Sequence, residues 1–419
     1  MQSHTQLQAL EINELEDSEP LELTNEEVAY FQQQVNAGIE NSKLDIIPVT
    51  GGRFKIRANG WIGAVSLPSG RALYIEPKVK ANFYKLLAYV LDLREWKYFE
   101  RVILAKGGSI LAEVVAAIFL QRAEDVTTQG LFKTYRTLQG ELGVVRGRIL
   151  VEQQIRRWKL NSIMVEYDEL TFDCIENRAV LFAAHVLRGI VRDPELQRGL
   201  GDISTALLSQ EVQLRRIHGY EIEQVQVSRL NDYYEPLLRL CKFIVESAWI
   251  ERLSVEGEIP VFGFLINANE LFEDFLTKLV EESMPEYQVI PQKRIHDLLV
   301  KATSSPGLQL TQDKIREITL KPDIMVQSKT GPILAVDAKY KLEVSNNDIY
   351  QAVSYSLALH MPTVLVLPQD TGGIMGAYTI VAHDVKIFIM TVNLGVETTR
   401  FESALKNEIR EKLAKIVQH

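Results

Sequence analysis

The stretch "TLKPDIMVQSKTGPILAVDAKYK", residues 319–341, decides how the chain is read. Two short apolar runs, residues 324–326 and 333–336, flank "SKTGP", a turn signal bearing Gly and Pro, so the segment reads as a β-hairpin. With residues 328–332 as the loop, Gln327 pairs with Ile333 and Asp323 with Asp337. Directly opposed residues share a face with Cβ atoms about 5 Å apart, and like charges there are destabilising. At an effective dielectric near 20 the repulsion is about 4 kcal/mol at 4 Å. Register decides the matter, because a slip of one residue puts the acids on opposite faces. Opposed carboxylates call for positive charge between them, and a divalent cation is the simplest candidate.

Lys339 lies two residues beyond Asp337, so both side chains leave the same face, while Val336, Ala338 and Tyr340 point the other way. Two carboxylates and one ammonium therefore converge. A hard cation such as Mg²⁺ favours a few carboxylate oxygens together with waters and substrate phosphates. Held there, it can activate water and stabilise the charge that develops in phosphodiester cleavage. Lys339 is placed to orient or deprotonate the water, or to stabilise the transition state. Upstream, "NANELFEDFLTKLVEE" is an amphipathic helix whose apolar stripe runs through Leu271, Phe272, Phe275, Leu276, Leu279 and Val280. Glu273 falls on the border of that stripe, and Glu270 and Asp274 point further into solvent. Gln351 and Tyr355, at i and i+4 on a later helix, share one face; they complete the rim of the site or serve ordinary packing and capping. A bare Asp-x-Lys triplet is common on exposed strands. The opposed Pro322-Asp323, the upstream Glu273 and the helix–strand order carry the reading instead. His296, His360 and His383 have no partner at metal-ligand spacing and read as surface or packing residues.

At 419 residues and 46% apolar content, the chain can bury the cores of two or three domains. It has no apolar run long enough to span a membrane, and its first 20 residues lack the basic and apolar regions of a signal peptide. These features predict a soluble cytoplasmic protein. The two cysteines, Cys174 and Cys241, form no CxxC pair, so neither a zinc site nor a disulfide framework is indicated. Of 55 acids, nine fall in residues 1–42, which carry no Lys or Arg; the remainder holds 46 charges of each sign. A protein that grips nucleic acid alone is expected to carry a basic footprint. Composition shows none, which weighs against autonomous, tight DNA binding and matters less if a partner holds the DNA.

The pattern along the chain predicts a multidomain α+β protein. Residues 1–43 read as an acidic, flexible tail, and 44–160 as a β-rich partner-docking domain with helices. Residues 161–255 read as a mainly helical connection, with "VEGEIPVFGF" as a boundary, and 256–419 as an α/β domain. In the last, the order is helix, strand near 287–295, hairpin, helix at about 346–359, then the strand "TVLVLP". Residues 44–80 are locally basic, with Arg53, Lys55, Arg57, Arg71, Lys78 and Lys80 against Asp45 and Glu76. The bland reading is a solvated face on a small barrel. The sharper one, which rests on the family resemblance given below, is a finger in which Arg53, Lys55 and Arg57 reach a partner's nucleotide, with Trp61, just after the Asn59-Gly60 turn, as an apolar anchor beside the tip.

Pro322-Asp323 followed by Asp337-Ala338-Lys339 resembles the PD-(D/E)XK nuclease signature, with Asp in place of the commoner Glu. The predicted element order is similar to that superfamily's αβββαβ core. More narrowly, the chain resembles the McrC family, the nuclease subunits of McrBC-type modification-dependent restriction systems. The likeness runs through "GWIGAVSLPSGRALYIEPKV" (60–79), "NFYKLLAYVL" (82–91), "RGRI" (146–149), "ENRAVL" (176–181) and "NELFEDF" (269–275). It spans nearly everything after residue 44. The resemblance implies a DNA endonuclease using Mg²⁺, for which Mn²⁺ can substitute, and leaving a 5′-phosphate. It further implies ligands from Asp323, Asp337 and the Ala338 carbonyl, a second metal or a water oriented by Glu273, and a nucleophile assisted by Lys339. It implies a partner too: an AAA+ GTPase ring of McrB type that binds modified double-stranded DNA. In keeping with that division of labour, the chain has no G-x-x-x-x-G-K-[ST] loop, and "AKGGS" (105–109) lacks the spacing. Two rival readings remain, a ring-binding adaptor with a decayed nuclease fold and a stand-alone repair nuclease. Retention of both acids and Lys339 disfavours the first, and the even charge balance disfavours the second.

Overall fold

The alternation in "LEIN" turns Leu10 and Ile12 inward, and this segment, Leu10–Asn13, is strand β1. The computed structural model describes residues 10–36, 42–77, 83–91, 111–157, 161–252, 260–295, 319–369, 373–381, 383, 385–394 and 401–417. Helix α1 (Asn25–Tyr30) starts with a Thr24/Glu27 capping box and runs into a π turn that buries Phe31 and Val35. Glu27 is wholly buried, and its carboxylate accepts from Arg71 Nε at 3.1 Å and from Ser69 Oγ at 2.6 Å. Residues 10–36 are therefore a folded part of the molecule rather than a flexible tail. Counting acids hid the apolar alternation that seats them. A hairpin follows, β2 (Leu44–Val49) and β3 (Arg53–Ala58), turned at Gly51-Gly52, both at positive φ. Then come β4 (Trp61–Ser66) and β5 (Ala72–Glu76), which pair antiparallel, with β1 parallel on the outer side of β5.

Helices α2 (Phe83–Val90) and α3 (Leu111–Gln129) lead to a projecting arm. Its long strands β6 (Thr134–Leu142) and β8 (Ile163–Thr171) pair over nine residues. Strand β7 (Arg148–Ile149) pairs with β8 on its other side, and α4 (Val151–Arg157) lies beside them. In β6 and β7 no residue is buried, and in β8 only Met164 and Val165 are. The arm's base is fixed by α5 (Ile175–Ile190). There Asn177, fully buried, donates from Nδ2 to the carbonyls of Phe132 (3.0 Å) and Phe172 (2.7 Å), the residues just outside the arm's two ends. Helices α6 (Pro194–Ser209), α7 (Gly219–Glu223) and α8 (Glu235–Ser247) complete the middle region.

Of the segment expected to be a boundary, residues 255–259 lie outside the described residues, and the rest belongs to a strand. Strands β9 (Ala248–Arg252) and β10 (Pro260–Asn267) join the N-terminal sheet, in the order β1-β5-β4-β10-β9, with β10 antiparallel to β4. Residues on both sides of position 256 thus share one sheet. Helix α9 (Ala268–Ser283) follows at once, capped by the Asn267 side chain, and its first amide donates to Gly60 O at 2.9 Å. Next come β11 (Gln288–Pro291), β12 (Ile324–Ser328), β13 (Gly331–Ala338), α10 (Asn346–Leu359), β14 (Thr363–Gln369), β15 (Gly373–Ile380), β16 (Val385–Asn393) and α11 (Phe401–Val417). The second sheet has the order β11-β12-β13-β14-β16-β15, with β13, β14 and β16 parallel. Parallel central strands are covered on both faces and read as continuous apolar runs, as "TVLVLP" does. One face packs on α9 and the N-terminal core through Val336, Val364 and Val366, and the other holds Leu365 and Leu367 against α10. No helix among the described residues is long and apolar enough to cross a membrane.

Burial by itself would raise the pKa of Glu27, but Arg71, Ser69 and the Thr24 amide outweigh it and hold the carboxyl below its usual value. A carboxylate depressed in the folded state stabilises the protein above its unfolded pKa, and that contribution is lost as pH falls through the folded value. Breaking such a pair by removing one charge costs about 3 kcal/mol, the low end of the range because Arg71 is partly exposed. Glu27→Gln is therefore expected to lower stability by about that amount at pH 7. The gap from the parent should close as pH drops below roughly 4. Urea unfolding at several pH values measures both effects, and a gap independent of pH would refute the account.

Candidate active site at the end of the hairpin

The hairpin turns at Lys329-Thr330, so its loop has two residues and not the five expected, and Ser328 pairs with Gly331. Continued without a break, that register would set Asp323 opposite Val336 and leave the acids on opposite faces. A β-bulge intervenes. Gln327 pairs with Pro332 but Val326 with Leu334, so Ile333 is the extra residue and Ile324 comes to pair with Val336. One residue further on, Asp323 stands beside Asp337, and Asp323 Oδ2 accepts from Ala338 N at 2.8 Å. A bulge that re-aims side chains beside a site is a recurrent device in sheets.

Asp337 has no exposed surface. Lys339 Nζ lies 2.6 Å from one of its oxygens, close enough for an ion pair but without hydrogen-bond alignment, so both buried oxygens lack a hydrogen-bond donor. Lys339 also donates to Gln351 Oε1 at 3.0 Å, Gln351 Nε2 donates to Tyr355 Oη at 2.8 Å, and Tyr355 Oη donates to Lys321 O at 3.0 Å. The later helix thus ties the lysine back to the segment just before β12 that carries Asp323. That helix is set by a Ser345/Asp348 capping box, with Lys341 Nζ 2.5 Å from Asp348. Burial, then the charges of Asp337 and Glu273, push the pKa of Asp323 up, against the pull of the Ala338 amide. Glu273 is half-buried, and burial raises its pKa as well. Burial first, then Asp337, raises that of Tyr355. Glu270 and Asp274 are exposed, as the helical period predicts.

Asp323, Asp337, Lys339, Glu273, Gln351 and Tyr355 are therefore brought to one end of the sheet. Among the described residues, no three His, Cys, Asp or Glu side chains converge on one metal position. Asp323 and Asp337 form the pair, and Glu273 lies near enough for its charge to act on Asp323. Two carboxylates, one with both buried oxygens unsatisfied, fit a hard divalent cation that completes its shell with waters and phosphate oxygens. Gln292 was not anticipated from the sequence. Its amide donates to Asp323 O at 2.7 Å and its Nε2 to Glu273 Oε2 at 3.3 Å.

The basic residues near the N-terminus are differently placed. Arg53, Lys55 and Arg57 alternate along one face of β3, but Asp17 holds Arg57 at 2.6 Å and approaches Lys55 at 4.0 Å. Arg71 is held by Glu27. Trp61 opens β4 just after the Asn59-Gly60 turn, and Lys43 Nζ lies 4.6 Å from its ring centroid. Lys78, Lys80, His296 and "AKGGS" lie outside the described residues. His360 ends α10 in a left-handed conformation and, like His383, is exposed.

The sequence model of a family described as "McrBC 5-methylcytosine restriction system component" matches residues 56–368. No curated protein matches the chain. Among solved structures, it is similar to a chain of the half-complex from a tetradecameric assembly of Thermococcus gammatolerans McrB AAA+ hexamers with bound McrC. That likeness has 17% identity and a TM-score of 0.62 over 98% of this chain and 100% of that one, and it establishes a shared fold. A chain of the cryo-EM structure of the Thermococcus gammatolerans McrBC complex aligns at 18% identity over 67% of this chain and 89% of that one, with a TM-score of 0.45.

With three acids against one lysine, removing one negative charge should relieve more repulsion than it sacrifices in pairing with Lys339. Asp337→Asn is expected to leave the metal-free melting temperature unchanged or raise it by a few degrees, since about 1 kcal/mol corresponds to roughly 2–4 °C in a large domain. Calorimetry in the presence of a chelator measures this. A drop of several degrees would show that the Asp337–Lys339 pair outweighs the repulsion.

Proposed function

The chain belongs to the McrBC family, and from that premise we propose that it is the metal-dependent DNA endonuclease subunit of a modification-dependent restriction complex. The run α9-β11-β12-β13-α10-β14 is read as a PD-(D/E)XK core of αβββαβ order. The observation that carries the proposal is the buried Asp337 carboxylate beside Asp323, with both oxygens short of a hydrogen-bond donor. A purely structural site gains little from that arrangement, because two adjacent carboxylates share one lysine and the buried oxygens are left without an aligned donor.

In this reading Asp323, Asp337 and the Ala338 carbonyl hold Mg²⁺, or Mn²⁺ in its place. The bound ion supplies Lewis acidity and a water of lowered pKa. Lys339, steadied by Gln351 and Tyr355, donates to the attacking water or to the phosphoryl oxygen on which negative charge develops. Glu273 orients a second water or metal. The product carries a 5′-phosphate.

The partner is an AAA+ GTPase ring that holds and translocates modified DNA, which suits a chain without a basic excess. Docking is assigned to the projecting arm. Val144, Val145, Val151 and Ile155 are uncovered there, and clustered exposed apolar side chains mark interaction surfaces. By contrast, Lys55 and Arg57 on β3 already face Asp17.

Asp337→Ala should abolish cleavage of modified DNA by the chain together with its ring, while ring binding and stimulation of GTP hydrolysis persist. Cleavage at the parental rate in Mg²⁺ would sink the nuclease assignment. Separately, Val144→Asp/Val145→Asp/Ile155→Asp should weaken ring binding at least ten-fold, since hot-spot truncations cost about 2 kcal/mol or more each. The melting temperature should not change. Undiminished binding in a pull-down with the ring would remove the arm from the interface.

A further inference from the structure

Gln292 follows the last residue of β11, where the ladder to β12 ends at the pair Pro291 and Ile324. It adopts φ +46°, in the left-handed region that a side chain other than Gly enters only at a cost. In that conformation its amide donates to Asp323 O (2.7 Å) and its side-chain amide to Glu273 Oε2 (3.3 Å). This is the one hydrogen bond that the Glu273 carboxylate accepts among the described residues. Gln292 therefore touches two of the three acids at once, one through backbone and one through side chain. The acids come from elements far apart in sequence, and Gln292 bridges them. Besides that bond, Glu273 feels the attraction of Lys339 and the repulsion of Glu270 and Asp274 on its own helix.

We infer that Gln292 is a positioning residue of the site: through its side-chain amide it holds the Glu273 carboxylate in register with the Asp323–Asp337 pair, and so sets the site's affinity for a divalent cation. The inference rests on the nuclease reading of those acids. Its strained backbone is consistent with the role, since left-handed residues persist where surrounding contacts hold them and cluster at functional sites. The amide bond to Asp323 involves only backbone and survives any side-chain replacement except Pro. The side-chain contact can therefore be removed alone.

The test uses the full-length chain and Mn²⁺ as the probe, with binding measured by calorimetry and the metal-free melting temperature alongside. Partners of metal-ligating groups typically contribute 10–100-fold to affinity. Gln292→Ala is expected to weaken Mn²⁺ binding on the order of ten-fold with little change in metal-free melting temperature. Gln292→Gly should weaken it equally while holding or raising the melting temperature, because Gly tolerates the left-handed backbone. In a Glu273→Gln background the Gln292→Ala change should add almost nothing, since both act through one contact. Parental Mn²⁺ affinity in Gln292→Ala would overturn the inference, and so would an undiminished effect in the Glu273→Gln background. If Asp337→Ala binds Mn²⁺ as the parent does, the fault lies with the nuclease reading itself. If Asp337→Ala fails to bind while Gln292→Ala is normal, only the role of Gln292 falls.

Discussion

A carboxylate with no exposed surface at Asp337, set beside a second at Asp323, is the constraint that the C-terminal half is built to withstand. Desolvating such an ion costs several kcal/mol, and one lysine contact does not repay it for two acids. The hairpin cannot relieve the cost by shifting. β13 is bonded on one side to β12 and on the other to β14, and Lys339 N donates to Val366 O at 2.8 Å. The energy that holds it comes from the strands themselves. Ile324, Val326, Leu334, Val336, Val364, Leu365, Val366 and Leu367 are all fully buried, and each such side chain contributes about 1.5–3 kcal/mol. Apolar burial of that size outweighs the electrostatic penalty and leaves the acids held close together. A cation that enters such a pair has no conformational ordering left to supply.

The site was legible to the extent that it follows from period. The two-residue repeat of a strand put Asp337 and Lys339 on one face, and the 3.6-residue repeat of a helix separated Glu273 from Glu270 and Asp274. The pairing of Asp323 with Asp337 was reached through a wrong turn. A five-residue loop and a two-residue turn followed by a bulge at Ile333 give the same register beyond Val326. Nothing in "KTGPIL" announces the bulge. Gln292 was invisible for a similar reason, because a left-handed glutamine has no sequence signature of the kind that Gly supplies.

At the level of the fold, charge misled where hydrophobic alternation did not. The acidic N-terminus is anchored by Leu10, Ile12, Phe31 and Val35, all buried. Two motifs carried by family resemblance gain a physical reason. In "RGRI", Gly147 sits at φ +74° where a Cβ would come within 2.2 Å of Glu166 O, so only glycine lets β7 lie against β8. In "ENRAVL", Asn177 closes both ends of the arm, and Arg178 donates from Nε to Asp173 at 2.6 Å. The chain's division at residue 256 failed because pairing between strands distant in sequence leaves no local trace.

That distant pairing bears on how the chain is made. β4 is complete at Ser66, but its neighbour β10 begins only at Pro260. At roughly 5–20 residues per second, a ribosome needs on the order of 10–40 s to supply the intervening stretch. Throughout that interval one edge of β4 has its backbone donors and acceptors open, the condition under which strands pair with the wrong chain. The nascent N-terminal half therefore keeps an open pairing edge until its last strand arrives. The same geometry restricts evolution by recombination. A crossover between β4 and β10 can be inherited only if the incoming half brings a strand that fits the β4 edge.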